Sequence, residues 1–109
     1  FENNLSIPHS DNFFDAVTML AVIEHVETDN LPRLLKEIYR ILKPGGEFYL
    51  HVHLRYPHEL NKTHPVSWSK EFAFDQLSEF DILWHTELTH DWINDNPYRT
   101  LLLKAKKNS

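Results

Sequence analysis

Two small groups of residues have the types and spacing for chemistry. Glu24 and His25 form a polar pair that ends the apolar run FDAVTMLAVI. His51 and His53 lie two apart in EFYLHVHL, Glu47 to Leu54. The unperturbed pKa of histidine sits near neutrality, so a histidine at a site can take a proton from a substrate hydroxyl. Two histidines two apart on a strand also point to the same side, as imidazole ligands to a divalent metal must. Each group has a plainer reading as well: His51 and His53 as hydrogen-bonded structural side chains, Glu24 and His25 as the start of a turn. His58, His64, His85 and His90 have no spacing that singles them out, and Trp68, Trp84 and Trp92 read as core or lid aromatics.

The elements that must position these residues are legible around them. Phe14 to Leu20 is short, apolar and rich in strand formers, which fits a strand buried on both faces. The Glu24-His25 pair then lies just past its carboxyl end, where open α/β sheets leave a crevice for ligands. Asp29 or Asn30 can cap a helix with Pro32 in its first turn. Leu31, Leu34, Leu35, Ile38 and Leu42 fall on one helical face, with Arg33, Lys36, Glu37 and Arg40 on a solvated one. Pro44 cannot continue the helix, and Gly45-Gly46 allow a sharp turn. In the strand that follows, Phe48, Leu50, Val52 and Leu54 share one face, and Tyr49, His51 and His53 the other. Strand–helix–strand in this order builds two parallel strands joined by a helix.

The flanks are simpler. Residues 1–12 read as a surface connection, with Pro8 and Ser10-Asp11-Asn12 as turn chemistry. Arg55 to Pro65 is loop-like. A short helix from Lys70 to Leu77 takes Ser67 or Ser69 as its cap. Asp81 to Leu88 alternates Ile82, Trp84, Thr86 and Leu88 against Leu83, His85 and Glu87, and Tyr98 to Lys106 is a further strand. Asn94 to Pro97 supplies the turn of an antiparallel hairpin. Lys104, Lys106 and Lys107 read as a solubilising end.

Composition narrows the function classes. The 109 residues are one domain or part of one, with 41% hydrophobic and 13% aromatic content. The formal net charge of -5 argues against nucleic-acid binding. There is no cysteine, so no disulfide framework and no thiolate metal site. No run approaches the roughly 18 apolar residues of a membrane span, and no leader pattern opens the chain, so the expectation is a cytoplasmic protein. Phe1 as first residue, and glycines confined to one turn, suggest a truncated domain.

Three segments resemble one family. Asp11-Asn12-Phe13-Phe14-Asp15 resembles the lead-in to the fourth strand of class I S-adenosylmethionine-dependent methyltransferases. Met19-Leu20-Ala21-Val22-Ile23-Glu24-His25-Val26 resembles the end of that strand. Leu34 to Gly46 (LLKEIYRILKPGG) resembles the helix and turn before the fifth strand. The group includes quinone-biosynthesis methylases and acts on small molecules. The resemblance implies a partial Rossmann-like α/β sheet, strands four to seven in the order 4-5-7-6 with the last antiparallel. Residues 1–109 would be the C-terminal part of one methyltransferase domain, without the glycine-rich loop and ribose-binding acid of its first half. The strand at Phe14 to Leu20 would then lie at an open sheet edge. The resemblance further implies S-adenosylmethionine as cofactor, bordered by Leu20, Ala21, Val22 and Glu24, with Glu24 and His25 beside the reacting centre; His51, near the carboxyl end of the next strand, is a second catalytic candidate by position. The fragment alone is expected to be inactive, and a small molecule is the expected substrate.

Two rival readings come from other classes. Gly45 to Glu59 partly resembles the cupin metal motif, with His51 and His53 as ligands, although Glu59 is spaced too far and the closing glycine is missing. A helix ahead of the turn suits an α/β sheet better than an all-β barrel. The other rival is a non-catalytic interaction module that keeps this half-fold.

Overall fold

The computed structural model describes residues 6–20, 22–54, 60, 65–90 and 98–108, with Glu24, His90 and Tyr98 described by backbone only. Strand β1 is Phe14–Leu20, helix α1 Leu31–Ile41, strand β2 Leu42–Leu54, helix α2 Lys70–Gln76, and strands β3 and β4 are Phe80–His90 and Tyr98–Lys107. Short 3₁₀ turns at Ile23–His25 and Thr28–Asn30 join β1 to α1. The sheet order is β1-β2-β4-β3. β1 pairs parallel with β2, and β4 runs antiparallel to both β2 and β3. This is the expected 4-5-7-6 arrangement, with β1 at one edge. Parallel β1 and β2 with α1 between them rule out the all-β barrel of the cupin reading.

The core lies between the helices and one face of the sheet. Leu31, Leu34, Leu35, Ile38 and Ile41 of α1 are buried, and all but Ile41 join one cluster with Phe48, Leu50, Val52, Leu101, Leu103 and Ala105 from the sheet. Ile41 completes the apolar stripe that the sequence pattern ended at Ile38 and Leu42. Asn30 occupies the N-cap of α1, but its side chain makes no capping bond; the Thr28–Asn30 turn leads straight into the helix instead. α2 starts as expected, with Ser69 rather than Ser67 as cap: its hydroxyl accepts from the Phe72 N–H at 3.1 Å. Trp68 is buried and meets Phe72 edge-on.

Four expectations need correction. β1 is not buried on both faces. Asp15, Ala16, Thr18 and Leu20 are exposed, and only Phe14, Val17 and Met19 are partly covered. Among the described residues it pairs on one side only, and its second face meets no helix. Trp84 is no core aromatic either, at 54% exposed. The β3–β4 register shifts between Ile82 and Trp84, so Leu83 is a bulge residue. The bulge turns Trp84, Thr86 and Leu88 onto the sheet face opposite Ile82. Trp92 lies outside the described residues.

The charges of α1 are not all solvated. Arg40 grips Glu37 through two bonds, at 2.9 and 3.0 Å, and also donates to the carbonyls of Ile7 and His9 and to Asp11. Glu37 in turn accepts from the Ile7 N–H at 2.9 Å. Residues 7–11, the lead-in to β1, are therefore strapped to α1. Finally, the lysines near the chain end belong to β4. Lys104 pairs with Glu47 at 3.0 Å, and Lys107 donates to the Leu42 carbonyl and to Asn12.

The Pro-Gly-Gly segment opens the ladder rather than simply preceding it. Phe14 is opposite Leu42 and Ala16 opposite Glu47, so Lys43 to Gly46 bow out against Asp15 alone. Gly45 has φ +79°, a left-handed conformation that glycine adopts without strain. At Gly46 a Cβ would stand 2.8 Å from the Lys43 carbonyl oxygen and 3.2 Å from that of Asp15. The bare backbone is what lets β1 and β2 close together there.

Candidate functional site

The site is built where the parallel pair ends. Leu20, the last residue of β1, is opposite His51 of β2, and Thr18 is opposite Tyr49. Leu20, His51 and His53 therefore share the sheet face away from α1 and α2. β2 continues to Leu54, so it forms a wall past the end of β1. Diverging connections at the carboxyl ends of parallel strands leave the crevice in which α/β folds hold ligands.

A 3₁₀ turn shapes the other wall. With three residues per turn, positions three apart lie on the same side. Ile23 and Val26 are both buried, while Val22 and His25 are both exposed. The turn is closed by the His25 N–H to Val22 carbonyl and Val26 N–H to Ile23 carbonyl bonds, each 3.1 Å. Two apolar anchors thus present Val22 and His25 outward beyond Leu20. At 59% and 42% exposed, Leu20 and Val22 are large apolar side chains left open at the mouth of this crevice. Such surface suits the apolar flank of a ligand. Ala21 and the Glu24 side chain lie outside the described residues.

His51 and His53 are half-buried, with ring centroids 6.1 Å apart. No cluster of three or more histidine, aspartate or glutamate side chains suitable for a metal occurs among the described residues; Glu59 is outside them. Below His51 on the same face, the Tyr49 hydroxyl donates to Glu47 at 2.7 Å, and Lys104 closes the group. These bonds hold the Glu47 carboxyl below its usual range and push the Tyr49 phenol up, because ionising the phenol would place two anions together. The group is a structural tie across β2 and β4 that the sequence marks only by Glu47 and Tyr49 at i, i+2 on one strand face. Of the other histidines, His85 is exposed and meets Phe74 edge-on, while His58 and His64 lie outside the described residues. No helix among them is long and apolar enough to cross a membrane.

Residues 2–50 match the family described as Methyltransferase domain. A demethylmenaquinone methyltransferase of Symbiobacterium thermophilum is 50% identical over 46 residues, which are 42% of this chain and 18% of that protein. A "Probable tRNA methyltransferase 9B" of Bos taurus is 33% identical over 81 residues, 71% of this chain and again 18% of that protein. Each match therefore spans under a fifth of the relative's own length. Among solved structures, a SAM-dependent methyltransferase of Methanosarcina mazei superposes with a TM-score of 0.77 at 19% identity, covering 98% of this chain and 65% of that one.

Proposed function

We propose that this chain, whose family and fold are those of the class I S-adenosylmethionine-dependent methyltransferases, forms the rear wall of a methyl-transfer site for a small-molecule acceptor. The observation that carries the reading is the juxtaposition of open Leu20 and Val22 with His51 at the carboxyl ends of parallel β1 and β2. Leu20, Ala21, Val22 and Glu24 border the cofactor. Bound there, S-adenosylmethionine supplies a methyl group on a sulfonium sulfur, so the protein's task is alignment rather than nucleophilic or metal chemistry. His25 and His51 face the acceptor, and either is suited to take the proton of an acceptor hydroxyl. The front wall, including a glycine-rich loop, comes from sequence outside these 109 residues, whose two glycines both serve the turn at Gly45-Gly46. On this reading the 109 residues alone do not methylate.

A second reading takes RNA as acceptor, and the relative named for tRNA methylation favours it. The net charge of -5 weighs against it, since RNA-binding surfaces carry a basic excess. The test has two parts. Calorimetric titration with S-adenosylmethionine should give micromolar binding to the full-length polypeptide and no heat with residues 1–109. Transfer of a labelled methyl group should then go to the low-mass fraction of a cell extract. Label in the RNA fraction alone would overturn the small-molecule reading, and binding by residues 1–109 would overturn the divided site.

A further inference from the structure

We infer that β3 is a self-pairing edge, through which two copies of the protein join antiparallel about a two-fold axis at Thr86. β3 closes the sheet order on the side away from β1, with β4 as its one neighbour among the described residues. It is eleven residues long, longer than an unprotected edge ordinarily is. Edges are normally blunted by lysine, proline or a central bulge. Phe80–His90 contains no lysine and no proline, and its bulge is confined to the start, at Ile82/Trp84. Three large apolar side chains on this strand are open: Leu83 at 47%, Trp84 at 54% and Leu88 at 41%.

Charge selects the register. Centring the two-fold on Glu87 opposes two carboxylates, and centring it on His85 opposes two imidazoles. Centring it on Trp84 sets Asp81 against Glu87. With Thr86 opposite itself, His85 faces Glu87 of the second copy, twice by symmetry. On the other face of the same pairing, Trp84 meets Leu88, again twice. An imidazole N–H that can donate to a carboxylate, and an aromatic–aliphatic pair, are both favourable directly across strands, and an isologous contact repeats each of them. Thr86 is opposite Leu102, which is opposite His51, so the axis lies two strands from His51 in the same row; the pairing does not depend on the chemistry proposed at Leu20 and His51.

Sedimentation equilibrium of the full chain should show a dimer. The sequence has no cysteine, so Thr86→Cys places one thiol on the axis. Mild oxidation should then give a disulfide-linked dimer that reductant reverses, because only a residue opposite its own copy comes within disulfide reach. The same substitution at Thr18, on the far edge strand, should give none. Trp84→Lys with Leu88→Lys should convert the dimer to monomer while far-ultraviolet circular dichroism is retained. Monomeric sedimentation of the unmodified chain, or cross-linking through Thr18→Cys and not Thr86→Cys, would overturn the inference. If the double lysine variant loses its structure, the two cysteine variants decide alone.

Discussion

Leu20 and His51 stand side by side at the carboxyl ends of two parallel strands, one open and apolar, the other a half-buried imidazole. The pairing exists because α1 returns the chain to run alongside β1, and because Gly46 lets the two strands approach at their start. An open apolar side chain and an imidazole are thereby brought to one end of the parallel pair, without a metal ligand set among the described residues.

The pair makes separable predictions in the full-length polypeptide. Leu20→Asp removes apolar cover worth roughly 1.5 kcal/mol when a ligand buries it, so cofactor affinity should fall about tenfold in calorimetric titration. His51→Gln should leave that affinity unchanged and lower kcat by about a hundredfold or more, as expected for loss of a general base. A His51→Gln variant with unchanged kcat would reduce His51 to a packing residue.

Adjacent glycines should respond differently to the same change. Gly45→Ala meets open space but carries φ +79°, at a cost of about 1–2 kcal/mol for a left-handed non-glycine residue. Gly46→Ala meets two backbone carbonyl oxygens, at 2.8 and 3.2 Å. Backbone must shift there, so the loss should reach about 3 kcal/mol and should loosen β1 from β2. Urea unfolding measures the first effect, and hydrogen exchange at the Val17 and Met19 amides localises the second.

Much of this arrangement is written in local pattern. The stripe from Leu31 to Ile38, the alternation from Phe48 to Leu54 and the Ser69 cap each depend on residues within a turn or two, and each is present in the structure. What escaped depends on partners distant in sequence. β1 has the composition of a buried strand, yet its exposure is set by which layers lie beside it. Leu83 has nothing in its neighbourhood to mark it as a bulge residue, and that single insertion carries Trp84 to the other face. Arg40 looks like any surface arginine until the lead-in to β1, some thirty residues earlier, folds back onto it. At the crevice, the Val22/His25 and Ile23/Val26 division follows from a 3₁₀ turn where the sequence showed only a polar pair ending an apolar run.

The Glu37–Arg40 strap should make the lead-in to β1 sensitive to acid. Bonds from Arg40 and from the Ile7 N–H hold the Glu37 carboxyl at about 2, against an ordinary 4.5. A carboxyl with a depressed folded-state pKa contributes stability that is fully present above its unfolded value and is lost as pH falls through the folded one. The urea midpoint should therefore decline between pH 4.5 and about 2, and Glu37→Gln should flatten that part of the decline. An unchanged slope in the variant would mean that other carboxyls govern it.

Ile23 should be the residue through which packing controls His25. It is fully buried at the first position of the turn after β1, while His25, two residues on, is exposed. Ile23→Ala removes core volume and should cost about 2–5 kcal/mol. Because the turn is held by two backbone bonds and by the Ile23 and Val26 anchors, losing one anchor should also let Val22 and His25 drift. The expected signature in the full-length polypeptide is a rise in the KM for acceptor at temperatures where circular dichroism still reports the folded state. Val26→Ala, which trims the second and smaller anchor, should move the same quantities in the same direction by less. If Ile23→Ala lowers stability alone, with KM and kcat intact below the transition, the turn does not position His25 and the role proposed for that histidine falls with it.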